Sequence, residues 1–581
     1  LTGNSFAKTL NFGYTAYGNS IQDGFDIVPR RLMMSDKLIH PLAGQKARAE
    51  DLLTKEEISE RYYHPEEPLE PVKNGTSGHR GLIGKGFAEA HVAAMTQALV
   101  DIRKEKGTFG PYLPERLVNQ ELGPVIVGKD VRFASDLAEE TAVEVFAGNG
   151  MKALVHKKNR STPTPVISHA ILTRVAQGQK IEGVIITASH NPPDDAGYKS
   201  NGLDGGPNTN TKPIDEKANY YLQHQESIRR IPYRQALEEG LVEEIDLLNP
   251  YIKDLASVVD MDVIKTQRFA VTPLGGSAYG YYEAVNDHYG TQIEVVLSEE
   301  DPTCSSRSYD WDGRLRGDPA SEYVMRAVQG IRNQLGVPFI GANDNDADRF
   351  GGEDSTGILN PNHVLCVLFD YLAANRGFNP NMGVGRTIGT THMLDRIAAH
   401  YGRPVYEVNV GFKHYVSGLM AGKYVLAGEE SAGLSLPRRD GSLWVTEKDG
   451  IAAVLLMMEV MAKTGKDIGT LYKELVNQYG PYQYERKDKP AQSEQKKRLL
   501  QLASDPDEVR RLLANRKIAG RSIERLVIGD GIKVVLEGDV WVLKRASGTE
   551  NIIKDYREER GETLETARKA SEEIDAYLGL N

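Results

Sequence analysis

Short apolar runs separated by polar turns dominate the first half of the chain. Val125-Ile126-Val127 leads into Gly128-Lys129-Asp130, residues 138–146 carry helical apolar spacing, and Ala153-Leu154-Val155 is apolar again. A further run, Val184-Ile185-Ile186, ends in the polar turn Thr187-Ala188-Ser189-His190-Asn191-Pro192. This alternation predicts strand–helix–strand units and a mostly parallel sheet. Two later stretches repeat the plan. Phe269-Ala270-Val271-Thr272 passes through Gly275-Gly276 into a helical stretch ending His288-Tyr289-Gly290, then Ile293-Glu294-Val295-Val296. Gly385-Arg386-Thr387-Ile388-Gly389 leads into a helical stretch ending His400-Tyr401-Gly402, then Val405-Tyr406-Glu407-Val408. The shared tripeptide suggests related α/β domains in tandem.

The last hundred or so residues break this pattern. Two charged helical stretches, 493–503 and 506–516, precede short strands around Gly529-Asp530-Gly531, and a helix from about Glu562 closes the chain. This reads as a separate α+β domain. Residues 479–492, with two prolines and mixed charges, read as the linker to it. The longest apolar stretch, 451–462, is interrupted by Glu459 and is too short to cross a bilayer, so it predicts a buried helix. Residues 1–33 are rich in Gly, Asn, Ser and Thr, lack the apolar core of a signal peptide, and read as a flexible extension. Met34-Ser35-Asp36-Lys37 resembles a natural start. The divisions expected are 1–50 (extension), 51–235, 236–357, 358–477 and 478–581.

At 581 residues the chain exceeds what one hydrophobic core supports. Its 40% apolar and 26% charged content is that of an ordinary soluble protein. A formal charge of −11 argues against nucleic-acid binding, so an anionic substrate would have to be held by local cations. Cys304 and Cys366 are the two cysteines, which fits a reducing compartment.

Pro192 and Pro193 keep the turn after Ile186 from becoming a helix, so Ser189 is expected on a rigid loop, open to solvent and to phosphorylation. Asp344-Asn345-Asp346-Ala347-Asp348-Arg349 sets three carboxylates at alternate positions after the apolar segment 337–340. Carboxylates about 5 Å apart repel by about 3 kcal/mol per pair at an effective dielectric near 20. A hard cation such as Mg²⁺ relieves that; alone, the same spacing also suits a solvated acidic loop. It is not an EF-hand, because no glutamate occupies the twelfth loop position. Gly428-Glu429-Glu430-Ser431-Ala432-Gly433 offers a carboxylate and a hydroxyl suited to sugar hydroxyls, or simply a polar turn. Arg545-Ala546-Ser547-Gly548-Thr549-Glu550, after the apolar residues 540–543, has the makings of a phosphate cradle. Gly75-Thr76-Ser77-Gly78-His79-Arg80-Gly81 suits a phosphoryl group, and Glu447-Lys448-Asp449 could bring a lysine to a sugar.

Together and in this order, these segments resemble those of the α-D-phosphohexomutase superfamily, over about 75–557. The resemblance implies an α/β fold: three tandem related α/β domains with mixed sheets, plus a C-terminal α+β domain, around a central cleft. It implies that Ser189 is the phosphoserine, with His190 and Arg349 as catalytic neighbours and Arg80 beside them. Asp344, Asp346 and Asp348 would hold Mg²⁺ together with the group on Ser189. Glu429 and Ser431 would grip the sugar, Lys413 belongs to the specificity-loop segment Gly411-Phe412-Lys413, and Lys448 is the candidate general acid/base. Arg545, Ser547, Gly548 and Thr549 would bind the phosphate that is not being transferred. Gly-Glu-Glu-Ser favours glucose phosphates. The implied reaction interconverts glucose 1-phosphate and glucose 6-phosphate, with glucose 1,6-bisphosphate as intermediate and activator. Implied too are sugar phosphates as partners, neither nucleic acid nor membrane, a monomer or homodimer, and a cytoplasmic location. A serine-dependent phosphatase would not need the second phosphate grip, and a non-catalytic paralogue would not need the serine and three aspartates.

Overall fold

A computed structural model describes residues 39–75, 77–547 and 552–580. The expected extension 1–33 and the Met34 start lie outside the described residues.

Three sheets share one plan. In the first, the strands lie in the order Ala153–His156, Val125–Lys129, Glu182–Ile186, Asp195–Asn201. In the second the order is Gln292–Val295, Arg268–Thr272, Ile340–Asn343, Phe350–Asp354. In the third it is Val405–Val408, Gly383–Thr387, Tyr424–Glu429, Gly433–Ser435. Each time the first three strands are parallel and the last is antiparallel. The two units with the shared tripeptide supply the same pair of strands in the second and third sheets, so the tandem relationship is a structural one.

The first sheet has additions at both edges. Asn74–Gly75 and Gly78–Leu82 extend it beyond Asp195–Asn201, so the glycine-rich segment is a small hairpin. Val242–Ile245 pairs in parallel with Ala153–His156. That strand falls within the expected 236–357 domain yet belongs to the first sheet, so the 235/236 division does not follow the sheets. A long-range parallel pairing leaves no local signal of which sheet a strand joins.

The shared plan explains where the polar motifs fall. The third parallel strand ends and the chain reverses at once into an antiparallel neighbour, leaving a tight loop at the carboxyl ends of the parallel strands, where α/β sheets bind ligands. These three loops carry Ser189, the Asp344–Asp348 triplet and Glu429–Ser431. Each contains a non-glycine residue in the left-handed region: Ser189 (φ 53°), Ala347 (φ 54°) and Ala432 (φ 67°). Left-handed backbone at such residues is costly and persists only where surrounding contacts hold it.

The apolar stretch forms the helix Gly450–Thr464, buried from Gly450 to Met461. Its Glu459 is neutralised by Arg376 (2.6 and 2.8 Å) and accepts from the Tyr371 hydroxyl. A Cβ at Gly341 would lie 2.4 Å from Val454, so the glycine lets this helix press against the second sheet.

The C-terminal domain is a six-stranded sheet, antiparallel throughout, backed by the helices Ser493–Ser504, Pro506–Leu513 and Glu565–Leu578. Its other face packs Val535, Trp541, Leu543 and Tyr556 against Ile388 of the third unit. The expected linker is largely a strand, Tyr482–Pro490, paired along its length with Ile552–Arg560. Its charged residues suit an edge position, and Pro490 sits at the strand's last residue, where a missing donor costs least.

Candidate active site

The three reversal loops meet. Thr164 N donates to Asp346 O (2.9 Å), Phe350 N to Ala432 O (3.0 Å), and Gly450 N to Ala347 O (3.1 Å), so the Asp loop touches the first unit, the third unit and the start of the buried helix.

Ser189 is not open to solvent as expected but only 1% exposed. Its hydroxyl donates to Asp344 Oδ2 at 2.9 Å, and His190 Nδ1 lies 3.4 Å away. Its left-handed backbone is pinned on both sides: Ser189 N donates to Thr187 Oγ1 (2.8 Å), and Arg132 Nη2 donates to Ser189 O (2.8 Å) and Asn191 O (2.5 Å). Arg132 is itself held by Asp130. Arg80 Nη1 donates to Asn191 Oδ1 (3.2 Å), which sets that guanidinium close behind the serine.

Asp344, Asp346 and Asp348 each present an oxygen within 4.8 Å of the others, and all three are buried. Two lysines offset their charge. Lys199 Nζ lies 2.7 Å from Asp346 Oδ2 and 3.3 Å from Asp348 Oδ2, and Lys448 Nζ lies 2.8 Å from Asp348 Oδ2. Asp346 Oδ1 and Asp348 Oδ1 are buried with no hydrogen-bond partner. Orphaned carboxylate oxygens in an all-oxygen cluster fit a hard divalent cation such as Mg²⁺. Burial and the two neighbouring carboxylates push Asp344 well above the usual range. Burial acts in the same sense on Asp346, but Lys199 and Lys448 outweigh it and hold that carboxyl far below. Lys448 is opposed by burial too, yet Asp348 and Glu447 keep it firmly protonated.

Arg349 N donates to Asp344 Oδ1 (3.0 Å), and its guanidinium pairs with Asp318 (3.0 Å). On the third loop, Glu429 Oε1 accepts from Gly411 N (3.0 Å) and Ser431 Oγ lies 3.4 Å from Glu429 Oε2. Burial pushes Glu429 up to about 7. The Gly411-Phe412-Lys413 segment therefore abuts the third loop. Phe412 also packs its ring 5.6 Å from Lys448 Nζ, while Lys413 is half-buried.

Residues 71–221 match the phosphoglucomutase/phosphomannomutase alpha/beta/alpha domain I, and residues 360–479 match domain III of the same family. Over 541 residues the chain is 38% identical to the phosphoglucomutase of Komagataeibacter xylinus, covering 90% of this chain and 94% of that protein. The chain belongs to the phosphoglucomutase/phosphomannomutase family. It is an isomerase of the phosphohexomutase type. A phosphoglucomutase/phosphomannomutase of Thermococcus kodakarensis is 27% identical over 84% of this chain and 94% of its own length. The crystal structure of pp63/parafusin, a phosphoglucomutase from Paramecium, has the same fold (TM-score 0.67, 20% identity, 88% of this chain and 95% of that one). Among the described residues, no helix is long and apolar enough to cross a membrane.

In this phosphohexomutase, Ser189, His190, the three aspartates, Arg349, Arg80, Lys448, Glu429 and Ser431 sit on the converging loops or directly behind them. Arg545 lies on the C-terminal sheet, where its guanidinium pairs with Asp530 and burial and that carboxylate set its environment. Ser547 is buried beside it, and Gly548 and Thr549 lie outside the described residues.

Sequence reasoning missed Lys199, Arg132, Thr164 and Asp318. Lys199 carried a usable signal. It follows Ser189 by ten residues on the returning strand, and antiparallel pairing sets it opposite Ile185, just before the serine loop. Arg132 and Asp318 come from segments with no motif of their own, and only the tertiary fold brings them in.

Proposed function

We propose that this enzyme interconverts α-D-glucose 1-phosphate and D-glucose 6-phosphate, with Ser189 carrying the phosphoryl group and glucose 1,6-bisphosphate as the intermediate. The carrying observation is the Ser189 hydroxyl, buried and 2.9 Å from Asp344 in a cluster of three carboxylates. A serine hydroxyl is a weak nucleophile, and phosphoryl transfer depends on positioning and charge neutralisation more than on covalent chemistry. The phosphoryl on Ser189 passes to the 6-hydroxyl of glucose 1-phosphate: the bond from phosphorus to Ser189 Oγ breaks as the bond to O6 forms. After the bisphosphate turns over, its 1-phosphoryl returns to Ser189 Oγ and glucose 6-phosphate leaves.

Arg349 and Arg80 flank the serine loop and stabilise negative charge on the transferring group. Mg²⁺, held by Asp344, Asp346, Asp348 and Ser189, would draw charge from the phosphoryl oxygens. Lys448 exchanges the proton of the reacting sugar hydroxyl, and the ammonium form held by Asp348 is the acid half of that cycle. Glu429 and Ser431 accept and donate hydrogen bonds to sugar hydroxyls. Lys413 belongs to the segment adjoining them. Arg545, with Ser547, Gly548 and Thr549, holds the phosphate that is not reacting.

The Komagataeibacter phosphoglucomutase and the Gly-Glu-Glu-Ser loop both support glucose as the sugar. A coupled assay comparing glucose, mannose and N-acetylglucosamine 1-phosphates tests this. Glucose 1-phosphate should have the highest kcat/KM. A higher value for mannose 1-phosphate would overturn the sugar assignment, and release of inorganic phosphate as the main product would make the protein a phosphatase.

A further inference from the structure

Lys448 is anchored by a cluster behind the site that no catalytic role requires. Its neighbour Asp449 caps the buried helix through Ala452 N (2.9 Å). A serine or asparagine would cap equally well without burying a charge. Yet the position holds a carboxylate, 1% exposed, that accepts two further hydrogen bonds from side chains. The Tyr251 hydroxyl lies 2.9 Å from both Asp449 oxygens, and Trp444 Nε1 donates to Oδ2 at 2.8 Å.

Those two donors are locked in turn. The Trp444 indole packs against the rings of His169 (4.8 Å) and Tyr251 (5.4 Å), with the Arg438 guanidinium 5.0 Å from its centre. Arg438 makes a bidentate pair with Asp254, at 2.6 Å to each oxygen, and His169 Nε2 lies 2.9 Å from Asp254 Oδ2. His169 belongs to the helix Thr164–Ala176 of the first unit. Tyr251 and Asp254 lie on Leu248–Asp254, between the first and second sheets in the chain. Arg438 and Trp444 follow the last strand of the third sheet. Tyr251 and Trp444 therefore converge on the Asp449 carboxylate, and His169 of the first unit braces both through Asp254 and its ring contact with Trp444.

The chain is also held on the other side of the lysine. Thr446 Oγ1 donates to Asp204 O (2.5 Å), and Thr446 N to Ser168 Oγ (3.2 Å). Between these anchors the Lys448 stem crosses Gly433, where a Cβ would come within 2.2 Å of Lys448 Cδ. A lysine has four side-chain rotors, and a reacting group misplaced by about 1 Å can lose about a hundredfold in rate.

We propose that Tyr251, Trp444 and Asp449 are positioning residues that hold Lys448 at the reacting sugar hydroxyl, and that they tie its placement to the junction of the three α/β units. This rests on the reading of Lys448 as the proton-exchanging group. The test is a double-mutant cycle on the full-length enzyme, with Tyr251→Phe in the native and in the Lys448→Met background. In the native background kcat should fall about tenfold with KM within about twofold, because placement of a reacting group is lost while binding is kept. In the Lys448→Met background the same change should alter kcat by less than about twofold. Trp444→Phe removes the indole donor while leaving an aromatic ring among His169, Tyr251 and Arg438. It should repeat the pattern and guard against a folding defect in the first variant. An equal loss in both backgrounds, or no loss in the native one, would overturn the proposal. Full kcat in Lys448→Met alone would instead remove the lysine's role, and the proposal with it.

Discussion

Lys199→Met probes the charge balance of the Asp loop most sharply. Lys199 is 1% exposed, and its ammonium lies 2.7 Å from Asp346 Oδ2. At an effective dielectric near 20 that contact is worth about 6 kcal/mol before desolvation is subtracted. Removing one partner of a buried pair costs about 3–5 kcal/mol, because the remaining charge is left uncompensated. Methionine keeps the stem volume, Lys448 still serves Asp348, and Thr164 Oγ1 still donates to Asp346 Oδ2 (3.0 Å). The expected loss is therefore near the lower limit, about 3 kcal/mol in the absence of divalent metal. A cation bound by the three aspartates would take over the lysine's charge, so Mg²⁺ should stabilise the variant more than the native protein. The assay is denaturant unfolding of the first transition with EDTA and with saturating Mg²⁺. Opposing carboxylates raise the Lys199 pKa above its ordinary 10.5 despite burial. Its contribution is therefore complete below pH 10.5 and is lost only as pH rises through the higher folded value, so the gap between the proteins should be flat from about pH 6 to about pH 9. A penalty of the same size with EDTA and with Mg²⁺ would refute the reasoning and make the triplet an acidic loop that needs no metal.

Two further outcomes are expected. Burial pushes Glu558 up to about 7; its Oε2 accepts from Trp541 Nε1 (2.7 Å) and His392 N (2.8 Å), while Oε1 has no partner. The folded protein therefore holds a proton between about pH 4.5 and 7 that the unfolded chain has lost, so this group's contribution to stability falls as pH rises through that window. Glu558→Gln should flatten that slope and gain up to about 3 kcal/mol at pH 8, read from unfolding at pH 5 and pH 8; a loss at pH 8 would contradict it. Arg545→Ala should raise KM for glucose 1-phosphate and release more glucose 1,6-bisphosphate per turnover, with added bisphosphate restoring part of the rate. Full activity without leakage would make Arg545 a structural partner of Asp530 only.

Much of this was legible because apolar runs mark strand ends. Val184-Ile185-Ile186 and the residues before Asp344 point to loops at strand termini, and the structure sets both loops at equivalent places in related sheets. The 451–462 stretch reads as a buried helix because its apolar residues leave no polar face. Other features left no local trace. Tyr482–Pro490 looks like a linker because its run of five charged residues, 485–489, shows no strand-like alternation, and an edge strand tolerates such a run. The burial of Ser189 was misread because the turn is polar, while the groups that enclose it, Asp344 and Arg132, arrive from 155 and 57 residues away. Lys199 differs from these: its ten-residue spacing from Ser189 is visible in the sequence, but only pairing with Glu182–Ile186 turns it toward the aspartates.

The phosphoryl state of Ser189 during turnover is the most direct test of the proposed chemistry. The purified enzyme is incubated with glucose 1,6-bisphosphate, digested, and analysed by mass spectrometry before and after a chase with excess glucose 1-phosphate under single-turnover conditions. Phosphate should appear on the Ser189 peptide and leave it during the chase as bisphosphate forms. Ser189→Ala should take up none and lose about 10⁴-fold or more in kcat. An active enzyme whose Ser189 stays unmodified throughout, or a Ser189→Ala variant with near-normal turnover, would contradict a phosphoserine carrier.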